Sequence, residues 1–425
     1  MKKSNSRVFF LLGAGSSMPY FPSTLELTKA LTSTKLIDIS SFVELKDKTY
    51  FGYLADISSQ IWGRALNFEE LIHLSILFSN LSKSQFDTIK QIPKPFMKLA
   101  TKIKDEFLKF DDELESKWAS QLACDFILDE IRNYSDKNKN KLSSSSLNSA
   151  LNILDQQGYI LDIFSLNYDN LVDYSKVNFE TGFDKDRTTT NYKVFKPEKF
   201  YSHELSHVYC QMHGSILFNT RGIPNRQSFE VIRFDSHQEA KDYSKISPKD
   251  RIYPNLFIKL QDGSEVPSIP MITGLHKTEM MLIDPYSTYY QKIFDHLINS
   301  SIWILAGYGG LDPHINSCIA RARKIKSERN DKFQIIISDY CKDIEQKLRD
   351  STYLTSKVSH LFWPEWERVL KLGTAKSSED LIFKLNHDIY GAWLNDKEIL
   401  MFDFEGIETF SHKLPSLIEK LTLNN

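Results

Sequence analysis

Paired cysteines are missing from this chain: Cys124, Cys210, Cys318 and Cys341 are scattered through 425 residues without a C-x-x-C spacing. That scatter argues against a disulfide scaffold and a cysteine-rich structural zinc site, and it suits the reducing cytoplasm. Long apolar runs are missing too. No stretch approaches the ~20 residues that cross a bilayer, so no segment reads as membrane-spanning. Lys2, Lys3 and Arg7 precede the apolar run 8–12 in the manner of a signal peptide. The run is short and Gly-Ala-Gly-Ser-Ser follows it, so it reads as a first strand. Neither sign of charge dominates: 53 Lys and Arg face 55 Asp and Glu, a net charge of -2. No global field recruits nucleic acid or an acidic membrane surface, and direct nucleic-acid binding is not expected. Arg321, Arg323, Lys324 and Lys326 form a local basic run that reads as a solvated helix face.

The residues that are present point to an α/β protein with a Rossmann-like parallel sheet and flanking helices. Buried parallel strands read as continuous apolar runs, and such runs occur at 8–12, 161–166, 208–212, 302–306 and 333–337. Ser23 and Glu26 have the spacing of a capping box, which places a helix start there. Helical periodicity covers much of about 40–150, with helices expected from near Asn67, over 96–110 and over 118–134. Residues 136–146 (DKNKNKLSSSS) are polar and low in complexity and read as a loop. A second insertion, about 180–280, carries isolated turn signals and a small antiparallel hairpin. Strand–helix alternation then returns: helices at 287–299, 313–326 and 342–349, and a further strand at 358–362. Residues 1–340 therefore read as one Rossmann-like α/β domain. Residues 341–425 read as an extension that completes the sheet and offers an oligomer interface.

Three stretches carry candidate chemistry. Gly13, Ala14, Gly15, Ser16 and Ser17 follow the first strand in the shape of a dinucleotide-binding turn, where glycines let the backbone approach a pyrophosphate. The third fingerprint glycine is absent, since Met18 stands there, and a plain tight turn explains the same residues. The strand over 161–166 ends in Asn167-Tyr168-Asp169, an amide beside a carboxylate at the edge where open α/β sheets place ligands, and a helical pattern begins at Leu171 and Val172. The strand over 208–212 ends in His213-Gly214-Ser215, and an imidazole at a loop edge is either structural or a general base near neutral pH. A second glycine turn, Gly307-Tyr308-Gly309-Gly310, leads to Asp312 before Pro313. That aspartate reads as a helix N-cap or as part of a cleft wall. His203-Glu204-Leu205-Ser206-His207 matches the H-E-x-x-H zinc pattern, but it runs into a strand where the chemistry needs a helix, so no metal is expected. Asp38 is too weakly placed to be assigned a ribose-binding role.

Taken together and in this order, GAGSS, NYD, HGS and the late G-Y-x-x-x-D turn resemble sirtuin-like domains, and in particular the bacterial sirtuin-like NAD hydrolases of anti-phage defence. The resemblance covers residues 7 to about 340 and includes Asp284-Pro285-Tyr286. Two departures from deacetylase sirtuins, the missing zinc cysteines and Leu166 where those enzymes have glutamine, point to the NAD-cleaving branch. The resemblance implies Asn167 and His213 as catalytic residues. It implies Gly13, Ala14, Gly15, Ser16, Ser17, Tyr168, Asp169, Gly214, Ser215, Gly307, Tyr308 and Asp312 around NAD, which is substrate, with no metal. It also implies a toxic effector of abortive infection, a homo-oligomer, and control by a HerA-type ATPase or a phage-derived trigger. A non-catalytic NAD sensor is the alternative; a protein deacylase or ADP-ribosyltransferase is the third.

Overall fold

The computed structural model describes residues 6–18, 20–36, 49–80, 113–185, 191–202, 206–222, 229–245, 257–259, 265–267, 270–272, 280–340, 382–386, 389–395, 398–403 and 406–423. Its centre is a parallel sheet in the spatial order β15 (Glu398–Asp403), β12 (Phe333–Ser338), β11 (Ile302–Ala306), β1 (Arg7–Leu12), β2 (Ile160–Ser165), β6 (His207–Gln211). A two-residue strand, β3 (Phe179–Glu180), continues it in the same direction, and β14 (Ile389–Asn395) and β13 (Ile382–Asn386) extend the far side antiparallel. The apolar runs become strands because the sheet is covered on both faces. In β1, Val8, Phe10 and Leu12 join one core while Phe9 and Leu11 join the other.

Chain direction reverses across β1. The chain moves from β1 to β2 and β6 on one side, then returns to β11, β12 and β15 on the other. A single row of paired residues crosses the sheet at its carboxyl edge: Asp403, Ser338, Ala306, Leu12, Ser165 and Gln211. The loops after β1, β2, β6, β11 and β12 therefore emerge side by side at a topological switch point, where open sheets hold ligands.

Helix α1 (Thr24–Ser33) is followed by α2 (Tyr50–Trp62), α3 (Phe68–Asn80), α4 (Glu113–Ser143) and α5 (Ser146–Gln156), which make up the described part of the helical insertion. The capping box opens α1 as expected: Ser23 Oγ accepts from Glu26 N, and the Glu26 carboxylate accepts from Ser23 N. The expected loop at 136–146 is instead mostly helix, because α4 runs to Ser143 and Ser145 caps α5 at once. Ser143 and Ser144 hydroxyls donate to carbonyls one turn back, Asn138 ties the helix to Tyr20 O at 3.1 Å, and Leu142 is buried. The expected helix at Leu171 reduces to a single 3-10 turn, Val172–Tyr174. Asp169 Oδ1 accepts from Leu171 N at 2.9 Å and Asn152 Oδ1 takes Lys176 N at 2.8 Å, so side chains satisfy the amides a helix would need.

The second insertion holds a four-stranded antiparallel sheet, β4 (Phe183–Lys185), β5 (Lys193–Phe195), β8 (Phe229–Arg233) and β7 (Phe218–Gly222), and a hairpin of β9 (Phe257–Lys259) and β10 (Glu265–Pro267). Helices α6 (Tyr286–Asn299) and α7 (Pro313–Arg329) pack together on one face, and α8 (Ile407–Leu423) packs on α5. Lys326 departs from the expected solvated face of α7: it is buried, its ammonium over the Phe333 ring, and burial lowers its pKa. The helices expected over 96–110 and 342–349 and the strand at 358–362 lie outside the described residues, as do Asp38 and Cys341. No helix of the described residues is long and apolar enough to cross a membrane.

Candidate active site

The two glycine turns interlock at the switch point. Gly13 N donates to Ala306 O at 2.9 Å and Gly15 N to Gly307 O at 3.2 Å. Gly307 has φ 59°, and a Cβ there would stand 2.2 Å from Ser16 N. These glycines are thus required by the approach of one backbone to another. The N–H groups of Gly13, Gly15 and Ser16 are spent on Ala306, Gly307 and Gly13 carbonyls, so they are not available to a pyrophosphate. The turn itself is a four-residue 3-10 segment, Ala14–Ser17, and the α-helix proper begins at Thr24.

Asn167 locks this turn to the end of β2. Its Nδ2 donates to Gly13 O at 2.9 Å and to Ser17 Oγ at 2.8 Å, with Ser16 Oγ at 3.2 Å. Ser17 Oγ in turn donates to Asp169 Oδ2 at 2.5 Å. Only Oδ1 of the Asn167 amide is left for a ligand. Asp169 is buried, and that desolvation raises its pKa to about 6 against the opposing bonds from Ser17 and Leu171 N. The Tyr168 hydroxyl reaches Glu69 Oε1 at 2.8 Å and Ile272 O at 2.9 Å, and its burial keeps it protonated.

His213, at the end of β6, faces Asp312. Its Nε2 lies 3.2 Å from Asp312 Oδ2 and 3.4 Å from the Tyr290 hydroxyl, and both His213 and Asp312 are buried. The same aspartate caps α7, accepting from His314 N at 3.0 Å and Ile315 N at 3.3 Å through Oδ1. The helix-cap reading of Asp312 holds through Oδ1, and Oδ2 is given to His213. Both contacts of the ring among the described residues are made by Nε2; when the proton sits there it donates to Asp312 and Nδ1 is the basic nitrogen.

These groups share one cavity of about 540 Å³, within the usual range for small-ligand sites. Gly13, Ala14, Gly15, Ser17, Asn167, Tyr168, Asp169, His213, Gly307, Tyr308 and Asp312 line it. Ser16, Gly214 and Ser215 do not. Ser16 is turned back on Gly13 O; Gly214, at φ 107°, pairs with Met271; and Ser215 accepts from Gln211 Nε2 at 2.6 Å. Sequence reasoning missed Glu69, Asp339 and Tyr290. Asp339 directly follows β12 at the same edge and could have been found by the rule that found Asn167. Glu69 looks from sequence like an ordinary acid in the first turn of a helix.

Four carboxylates (Glu69, Asp169, Asp312 and Asp339) line the cavity, with no lysine or arginine among the described lining residues. Phe21, Leu27, Phe68 and Ile131 supply an apolar wall from the helical layer. His203, Glu204 and Leu205 lie outside the described residues, and His207 opens β6 with Nδ1 accepting from Leu161 N at 3.1 Å and Nε2 3.0 Å from Asp155.

Fold and site together define an α/β protein with a Rossmann-like sheet and an acidic cavity at its carboxyl edge. Comparison with protein-family models and with curated proteins returns no match for this chain.

Proposed function

We propose that this chain is an NAD hydrolase that breaks the bond between the nicotinamide nitrogen and the ribose. The observation that carries this reading is that Asn167 and His213 face one cavity, with Asp312 Oδ2 3.2 Å from His213 Nε2; we assign the proton to Nε2, which makes Nδ1 the base. The acidic lining supports it as well. Nicotinamide in NAD is a cation, and positive charge passes to the ribose as the bond breaks, so the carboxylates of Asp169, Asp312 and Glu69 favour that end of the substrate and its transition state. Because the N–H groups of Gly13, Gly15 and Ser16 are spent on protein carbonyls, binding is proposed to rest mainly on the nicotinamide riboside half of the substrate.

In this mechanism the C–N bonding electrons return to the ring nitrogen, and nicotinamide leaves neutral without an acid. Asn167 Oδ1 accepts a hydrogen bond from the attacking water or from a ribose hydroxyl. His213 Nδ1 takes the proton from that water, whose oxygen bonds to the ribose carbon. The products are nicotinamide, ADP-ribose and one proton. General base help of this kind is worth about 10²–10⁴-fold. Within the sirtuin-like resemblance, the activity is that of a defence effector held in check by a partner. Incubating the full chain with NAD and separating the products tests the reading: equimolar nicotinamide and ADP-ribose support it, and intact NAD points to a sensor.

A further inference from the structure

A second cavity, about 700 Å³, lies on the other side of the segment that follows β2. Asn167, Tyr168 and Asp169 face the first cavity, while Asn170, Val172, Asp173 and Tyr174 face the second. The floor is Tyr209 of β6, and the far wall comes from β8 and the chain beyond it. Unlike the first, it carries basic side chains. Lys139, Lys193, Lys199 and Arg233 line it against Asp173, Glu180 and Asp235.

Two of its polar groups are unusual. Tyr209 is only 2% exposed, yet its hydroxyl makes no hydrogen bond among the described residues and is not sealed away from the cavity. A buried tyrosine ordinarily gives its O–H a partner. Burial, with Asp173 and Asp169 nearby, raises its pKa well above the usual value, so it stays a donor. Arg233, 9% exposed, commits Nη2 to Asp173. Its remaining N–H donors have no partner among the described residues, and they form the fork geometry that suits a phosphate or carboxylate. Lys193 is held by Asp235 and Lys199 by Asp184. Lys139 is exposed at the cavity and makes no ion pair among the described residues. Phe179, whose ring centroid is 5.9 Å from that of Tyr209, and Phe234 offer aromatic surface beside these donors.

We propose that this second cavity binds a small phosphorylated ligand with a planar ring, a mononucleotide-like molecule. Its phosphate seats between Arg233, Tyr209 and Lys139, and its ring lies against Phe179 and Phe234. The site is separate from the proposed NAD-cleaving one and does not depend on it.

The test is calorimetric titration of the full chain with AMP, with adenosine and with inorganic phosphate. AMP is expected to bind at 1:1 and at least about tenfold more tightly than either fragment. Tyr209→Phe removes a hydroxyl that has no partner among the described residues, so the free variant is expected to melt at or above the wild-type temperature. Its affinity for AMP falls about tenfold, the size of a lost hydrogen bond to a charged group. Lys139→Gln, at an exposed position, weakens AMP binding and flattens its salt dependence. No binding of AMP, or equal AMP affinity in wild type and Tyr209→Phe, overturns the site. Phosphate binding as tightly as AMP overturns the ring contact. AMP binding that His213→Ala abolishes and Tyr209→Phe leaves intact assigns AMP to the first cavity and likewise overturns the proposal.

Discussion

Asp312 holds His213 through one carboxylate oxygen, Oδ2 at 3.2 Å from Nε2, while its other oxygen caps α7. Asn is as good an N-cap as Asp, so Asp312→Asn separates the two duties. The variant is expected to melt within a few degrees of wild type and to release nicotinamide at least about tenfold more slowly, as a histidine losing its orienting carboxylate does. The loss falls on kcat more than on KM. Steady-state rates together with a melting curve check this.

Asn167→Ala is expected to cost both activity and stability. Its amide donates to Gly13 O and Ser17 Oγ inside the protein. Losing buried partners of this kind costs about 1–3 kcal/mol, read by chemical denaturation, and nicotinamide release falls to background. A variant with wild-type stability contradicts the role of the amide in tying the turn, whatever its activity.

Gly307→Ala probes the interlocked turns. With φ 59° and a Cβ that would stand 2.2 Å from Ser16 N, the substitution combines left-handed backbone strain with overpacking. The expected destabilisation is about 3 kcal/mol or more. A neutral effect on the denaturation midpoint contradicts the close approach.

Asp169 gives a pH signature. Its pKa rises from the ordinary 3.8 of an unfolded chain to about 6 in the fold, chiefly by burial. The folded state therefore binds the extra proton, and the stability this contributes is fully present below about pH 4 and lost as pH rises through about 6. A rise of that size corresponds to about 3 kcal/mol at most. Asp169→Asn carries no such proton, so its melting temperature relative to wild type should climb from pH 4 to pH 7. Asp173, also raised by burial and one of the charges acting on Asp169, remains in both proteins. A constant difference across that range contradicts the raised pKa.

Much of the sheet was legible because a strand covered on both faces has no polar side to show. The runs that became β1, β6, β11 and β12 needed only their apolar continuity, and the Ser23–Glu26 box needed only its spacing. The convergence of Asn167, His213 and Asp312 on one cavity followed from each ending a strand or opening a helix at the same edge. What could not be read was how donors are allotted. No pattern says that Gly13, Gly15 and Ser16 spend their N–H groups on protein carbonyls, or that Asn167 turns its amide inward. Residues 136–146 misled for a similar reason: serine and asparagine favour loops locally, and distant contacts such as those with Tyr20, His237 and the core around Leu142 hold them helical.

The most direct test of the central claim is the rate of nicotinamide release from NAD by the full chain, alone and mixed with a HerA-type ATPase partner, for wild type and His213→Ala side by side. The account predicts nicotinamide and ADP-ribose in equal amounts from wild type, and a rate at least about 10²-fold lower from the folded variant. NAD recovered intact from wild type under both conditions, or equal rates from the two proteins, contradicts it.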